Sequence, residues 1–198
     1  MPGRRQKSVA VPRPGLAAFA AGNTGSWRIE RIDAIRGDGL AQAQRLAIDD
    51  GGAAAKRSNS AWTLQGVVSN LRYTTASEQQ HLAVRQAGLG RNEATRAALI
   101  PIRKSDAWWE LAQDQRRAIF EQQSKHIAIG ADYLPAVARR LYHCRELGEP
   151  FDFLTWFEYT PQHEPVFDRL VARLRASEEW KFVTREVDIR LTRDGGQP

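Results

Sequence analysis

The spacing of apolar residues along this chain changes several times, and each change marks a passage from one element to the next. Residues 23–36 alternate through Trp27, Ile29 and Ile32 and predict a strand. Residues 37–60 are rich in Gly, Ala and Asp and predict a loop or a weak helix. From Ala61 to Tyr73 a clearer strand follows, built on Trp62, Leu64, Val67, Val68 and Leu71, and Thr74–Ser77 then opens a helix that runs to about Gly88. Ala97–Arg103 is a short apolar strand, in which Pro101 argues for an edge or a bulge because proline has no N–H to give a ladder.

Beyond Lys104 the period becomes helical. Ser105 is an N-cap with Asp106 in the first turn, and the helix it opens carries Trp108 and Leu111 and, after an interruption or a continuation, Ile119, Phe120 and, near its end, His126. Gly130 is the C-cap candidate, and Pro135 forbids a simple continuation. Residues 137–145 and 151–159 predict two strands joined by Leu147-Gly148-Glu149-Pro150; residues 163–177 predict a helix on Val166, Leu170, Val171 and Leu174; residues 180–192 predict the last strand. This order predicts an α+β fold of two ferredoxin-like halves with antiparallel sheets, the N-terminal half abbreviated. The predicted division is a disordered basic tail over 1–22, the abbreviated half over 23–104 and the C-terminal half over 105–198.

Composition narrows the classes. A chain of 198 residues that is 42% apolar can bury one large core, or two small subdomains sharing one, without staples. Cys144 is the one cysteine, so no intrachain disulfide forms, and no Cys/His spacing fits zinc. The net charge of +6 draws on Arg4, Arg5, Lys7 and Arg13 in the tail and is otherwise spread along the chain with no nucleic-acid motif, which predicts no nucleic-acid partner but suits attraction of small anions. The small-residue run Gly15–Gly22 faintly resembles an export signal, yet it is short, alanine-dominated and preceded by Pro12 and Pro14; a cytoplasmic protein is expected. No segment approaches the ~18 consecutive apolar residues of a membrane span.

Two residues carry the chemical interest. His126 and Arg139 flank the proline break, so an imidazole and a guanidinium can reach a flat cofactor from different directions. Taken alone, His126 reads as a partly buried histidine bonded to a carbonyl, and Arg139, in an Arg-Arg pair, as a surface residue. Placed together in an apolar pocket, a neutral imidazole is an axial ligand, and a permanently charged planar fork holds an oxyanion. On the strand, Arg139, Leu141 and His143 share one face; Arg140, Tyr142 and Cys144 share the other. Trp108 and Trp109 point about 100° apart on a helix, so one of them faces a pocket or an interface. Arg103 and Lys104 are candidates for meeting carboxylates. No Gly-x-Ser-x-Gly, Walker, His-Glu-x-x-His or dinucleotide motif competes.

The segments Ala98-Leu-Ile-Pro-Ile-Arg-Lys-Ser105, Trp108-Trp109, Ser124-Lys-His-Ile-Ala-Ile-Gly130, Tyr133-Leu-Pro135, Ala138-Arg-Arg-Leu-Tyr-His143 and Phe151-Asp-Phe-Leu-Thr-Trp-Phe-Glu-Tyr159 together resemble the chlorite dismutase family, in its short, dimeric branch, over roughly residues 61–192. The resemblance implies haem b bound in the C-terminal half, with His126 as the proximal ligand to iron and a carboxylate partner at Glu178 or Glu179, Glu179 being favoured. It places Asn70, Tyr73, Ile102 and Lys104 around the haem propionates, and Trp108 and Trp109 at the haem side or an interface. It makes Arg139 the distal catalytic arginine. The implied reaction converts the small anion chlorite to chloride and dioxygen: a Cl–O bond breaks, Arg139 keeps the hypochlorite or chlorine monoxide fragment close, and an O–O bond forms. A homodimer is implied too. The rival readings on the same fold are a haem peroxidase, a coproheme decarboxylase-like enzyme and a haem-binding or sensing protein without turnover.

Overall fold

Among the described residues eight strands, every neighbouring pair antiparallel, close on themselves. In this computed structural model the described residues are 15–51, 60–69, 75, 80, 85 and 87–193. The strands are β1 (Leu16–Gly22), β2 (Trp27–Arg36), β3 (Arg45–Asp50), β4 (Trp62–Val68), β5 (Arg96–Lys104), β6 (Val137–His143), β7 (Phe153–Tyr159) and β8 (Val183–Thr192). Around the barrel they run β1-β3-β2-β8-β5-β7-β6-β4. Cut at the seams β2/β8 and β4/β6, the ring falls into two four-stranded sheets with the same internal order, fourth–first–third–second, which is the ferredoxin-like order expected of each half.

The halves differ in their helices. In the first, β1 and β2 both run antiparallel to β3 and hence in the same direction, and only residues 23–26 join them, so the helix of a full half is absent there. In the second, β5 leads into α1 (Asp106–Glu110), α2 (Gln113–Arg117), a π-helical turn (Ala118–Gln123) and α3 (His126–Asp132) before β6. Between β7 and β8 lie α4 (Glu164–Arg175) and a 3₁₀ turn (Glu178–Phe182).

Several expectations are corrected. Residues 16–22 are not part of a disordered tail; they form β1, whose Ala17, Phe19 and Ala21 are buried in the barrel. The small side chains that made this run look unstructured are what the narrow interior accepts. The 37–60 stretch contains β3, with Leu46 fully buried, rather than a loop or weak helix. A boundary after residue 104 is misplaced, because β5 pairs with β7 and β8 and so opens the second half. Pro101 is on that central strand, not at an edge; the ladder toward β8 passes from Leu99↔Ile189 to Ile102↔Glu186, so the missing N–H falls where no partner is required. Of interruption and continuation after Leu111 the structure has the interruption, and Lys125, with φ 51°, turns the chain so that His126 begins α3 instead of ending a helix. The last strand starts at Val183, since 178–182 is the 3₁₀ turn. The helix expected from Thr74 to Gly88 lies largely outside the described residues, as do Asn70, Leu71 and Tyr73.

Strand alternation separates two apolar layers. Phe19, Trp27, Leu64, Leu99, Tyr142, Leu154, Trp156 and Ile189 point inward and fill the barrel. Rings meet there edge-on, Phe19 with Tyr142 at 5.2 Å and Trp27 with Trp156 at 5.2 Å, and the Trp156 indole keeps a partner by donating to Glu158 Oε1 at 2.9 Å. The outward face of β5–β8 carries Ile100, Ile102, Val137, Phe153 and Phe157. Onto it packs the Phe167, Leu170, Val171, Leu174 stripe of α4, whose i, i+3, i+4, i+7 spacing gives one buried face. A large pocket lies on this outer face. Among the described residues no helix is long and apolar enough to cross a membrane.

The β4/β6 seam is short, pairing Val67↔His143 and Val68↔Tyr142. Gly66 lets the strands approach, since a Cβ there would lie 2.7 Å from the Tyr142 Cβ. Gly66→Ala is expected to cost about 1–3 kcal/mol through overpacking, measured by urea unfolding; a variant as stable as the wild type would show that the seam yields freely.

Candidate cofactor pocket

The pocket is open to the outer face of the second sheet and encloses about 1030 Å³, its mouth included. Ile100, Ile102, Phe153 and Phe157 from the strands form one apolar wall, and Leu170 and Leu174 from α4 line it as well. His126 from α3 and Arg139 from β6 both reach it. The alternation along β6 sends Arg139 and Leu141 to the pocket and Tyr142 to the barrel interior.

Three devices place His126. The π-helical turn and left-handed Lys125 reset the helical phase just before it, a local irregularity of the kind found at functional sites. Glu121 Oε2 accepts from the Ile127 N–H at 2.8 Å, which ties the start of α3 back to that turn. Phe120 stacks on the imidazole, centroids 4.4 Å apart and planes 22° apart.

Behind the ring stands a buried chain of charges. His126 Nδ1 and Glu179 Oε2 are 2.6 Å apart, while Lys104 Nζ lies 2.7 Å from Glu179 Oε1. Ser124 Oγ accepts the Glu179 N–H at 2.8 Å, and the Lys104 ammonium also lies over the Trp108 ring at 4.5 Å. The side chains of Lys104 and Glu179 are 1% and 4% exposed, so the pair is sealed from water. Burial by itself raises the carboxyl, yet Lys104 and His126 outweigh it and hold Glu179 down at about 2. Burial lowers Lys104 from its ordinary value, against the pull of Glu179.

An ionised Glu179 can only accept. A neutral His126 therefore carries its proton on Nδ1 and presents the Nε2 lone pair, which has no hydrogen bond to any described residue. One basic nitrogen at an apolar pocket fits a metal already chelated in a flat macrocycle. A bare cation would need three or four protein ligands, and no group of three His, Cys, Asp or Glu side chains stands together among the described residues. Arg139 is half-buried, and loss of water lowers its pKa from a starting value far above any working pH, so it remains a cation.

The other expected site residues divide. Ile102 lines the pocket, as does Trp108, which is buried against Phe182 at 5.4 Å. Trp109 stacks on Phe153 at 6.0 Å, donates to Asp152 Oδ2 at 3.2 Å and lies under the Arg145 guanidinium at 4.3 Å. Lys104 does not wait for a propionate; its charge is committed to Glu179, because a buried ammonium must sit by its counter-ion. Glu178 is on the surface, paired with Lys181 at 2.6 Å, so the carboxylate that reaches His126 is that of Glu179. Asn70 and Tyr73 lie outside the described residues. The reading from sequence missed Ser124, Phe120 and Glu121 as partners of the histidine segment, since the π turn removes the regular spacing that would have aligned them.

The sequence profile of the family described as Chlorite dismutase matches residues 42–194. The chain belongs to the chlorite dismutase family. It is 57% identical to the dimeric chlorite dismutase of Nitrobacter winogradskyi, whose crystal structure superposes with a TM-score of 0.83 over 89% of this chain and 99% of that one. A chlorite dismutase of Ideonella dechloratans is 31% identical over 98 residues, 48% of this chain; the match spans only 33% of that longer protein. A tryptophan-to-valine variant of the chlorite dismutase from Candidatus Nitrospira defluvii shares the fold, with a TM-score of 0.66 at 20% identity and 92% of each chain covered. Within this family fold, the buried Lys104–Glu179–His126 chain is the electrostatic centre of the pocket in this protein.

Glu179→Gln leaves the Lys104 ammonium buried without its counter-ion and should cost about 3–5 kcal/mol at pH 7. The folded-state value of Glu179 lies below its ordinary 4.5, so its contribution is complete above pH 4.5 and fades as the pH falls through about 2. Urea unfolding at a series of pH values should show the gap between wild type and variant narrowing below pH 4.5. A gap that stays constant down to about pH 2 would contradict the depressed carboxyl.

Proposed function

We propose that this protein is a haem b-dependent chlorite dismutase that converts chlorite to chloride and dioxygen. The observation that carries the reading is the uncommitted Nε2 of His126, backed by an ionised, buried Glu179, at an apolar pocket that also receives Arg139. The similarity to the dimeric enzyme of Nitrobacter winogradskyi supports both the activity and a homodimer.

His126 Nε2 would hold the iron, and the apolar wall of Ile100, Ile102, Phe153 and Phe157 would receive the macrocycle and exclude water. Haem, when bound, supplies the iron at which the Cl–O bond of chlorite is broken and the O–O bond made. Glu179 keeps the Nδ1 proton of His126 in a short hydrogen bond, which fixes the ring plane and increases the electron density available at Nε2. Lys104 keeps that carboxylate ionised in a water-free setting. Arg139 supplies a fixed positive charge that attracts the chlorite anion and retains its chlorine-oxygen fragment; in a low-dielectric pocket this attraction is far stronger than in water. Atoms and charge balance within chlorite itself, so no external electron donor is consumed.

With chlorite added to the haem-loaded protein in an oxygen-electrode cell, dioxygen and chloride should appear in equal amounts. Haem binding without oxygen release would move the assignment to a peroxidase, a decarboxylase or a haem sensor. His126→Ala should lose haem and change the absorption of what remains; unchanged haem content and spectrum would reject it as ligand. Arg139→Ala should bind haem normally, lower sustained turnover on the order of 100-fold and release trappable hypochlorite. A trap signal equal to that of wild type would reject the retention role.

A further inference from the structure

Trp180 follows Glu179 in the 3₁₀ turn, and two residues that face each other across the β2/β8 seam hold it at both ends. Arg36, the last residue of β2, donates through Nη1 to the Trp180 carbonyl at 3.1 Å and to the Val183 carbonyl at 2.6 Å. Glu186 of β8, its register partner, accepts the Trp180 indole N–H on Oε2 at 2.8 Å. The other oxygen of Glu186 accepts from Arg175 Nε at 2.7 Å, and Arg175 also reaches Asp188 at 3.0 Å, so the end of α4 anchors the carboxylate. Glu186 is 1% exposed and Trp180 is 8% exposed. A buried carboxylate and a buried indole N–H are costly when unpaired, which leaves the turn one low-energy seat.

That seat matters because of what the preceding residue does. The 2.6 Å contact between Glu179 and His126 tolerates little movement, and a slip of about 1 Å turns it into no hydrogen bond at all. Ser124 holds the backbone N–H of Glu179 from the α3 side. On the side of the barrel, the turn is fixed by Arg36 and Glu186.

We propose that Arg36 and Glu186 are positioning residues, a clasp on Trp180 that seats Glu179 against His126 and thereby sets the orientation and electron donation of the imidazole. The abbreviated first half would then have a part in the site through Arg36, although it lies on the far side of a seam. The proposal rests on the reading of His126 as the haem ligand, and its test separates the two.

The full chain, labelled with ¹⁵N-histidine and free of haem, reports the His126 tautomer in long-range ¹H–¹⁵N spectra. The haem-loaded ferrous protein reports the Fe–His stretching band in resonance Raman. Wild type should show a single Nδ1–H tautomer. Arg36→Met and Trp180→Phe should show a mixture of tautomers and, with haem, a band shifted to lower wavenumber; Arg36→Lys, which keeps a donor, should recover most of both. Arg36 is exposed, so its replacement leaves the core intact and carries the test if Trp180→Phe does not fold. Variants with wild-type near-ultraviolet circular dichroism, an unchanged tautomer and an unchanged band would overturn the clasp. A tautomer change in a protein that binds no haem would support the clasp and reject the haem reading instead.

Discussion

Barrel closure is the constraint on which the rest of the structure depends. A four-stranded sheet with one apolar face leaves two edges of unpaired N–H and C=O groups and a layer that must be covered, and here each half meets both needs through the other. The seams β2/β8 and β4/β6 pair the edges, and the inward faces become one interior. Aromatic rings pack edge-on in that interior. The pocket lies instead on the outer face of the second half, between its sheet and α3 and α4.

The same closure makes a buried charge tolerable next to that pocket. Glu179 arrives on a five-residue turn between α4 and β8, and β8 is held on both sides, by β2 across the seam and by β5 within its own sheet. A turn on a frame so fixed can keep a carboxylate at hydrogen-bond distance from a histidine on another element. The electrostatics then follow in order. Lys104 makes ionisation of Glu179 favourable despite burial, ionised Glu179 fixes the proton on Nδ1, and Nε2 is left as a donor to metal.

What the sequence made legible was local and periodic. The stripe of α4 and the β6–β7 pair have side chains at regular spacing with turn residues between them, and they stand where the pattern put them. β1 and β3 were not legible. Ala17 and Ala21 of β1 carry no strand preference, and they are selected by interior space that only the closed barrel defines. The break before His126 has no glycine or proline to announce it: a π turn and a left-handed lysine make it, stabilised by the contacts of Glu121, Ser124 and Phe120. Glu179 came into view through the family resemblance, and the position of Lys104 behind it did not, since the two are 75 residues apart and nothing in the chain between them encodes the contact.

The division of labour between the halves has a physical logic. In the first half β1 passes to β2 through residues 23–26 alone, and β2 exposes Arg28, Glu30 and Arg31, with ion pairs Arg28–Glu30 and Arg31–Asp33 along it. The second half keeps a helical segment at the corresponding place, between β5 and β6. Its outer layer is the pocket wall, so α3 and α4 are retained, and with them His126 and the anchor at Arg175. The connection missing between β1 and β2 is therefore one whose loss leaves His126, the carboxylate behind it and the arginine of β6 in place.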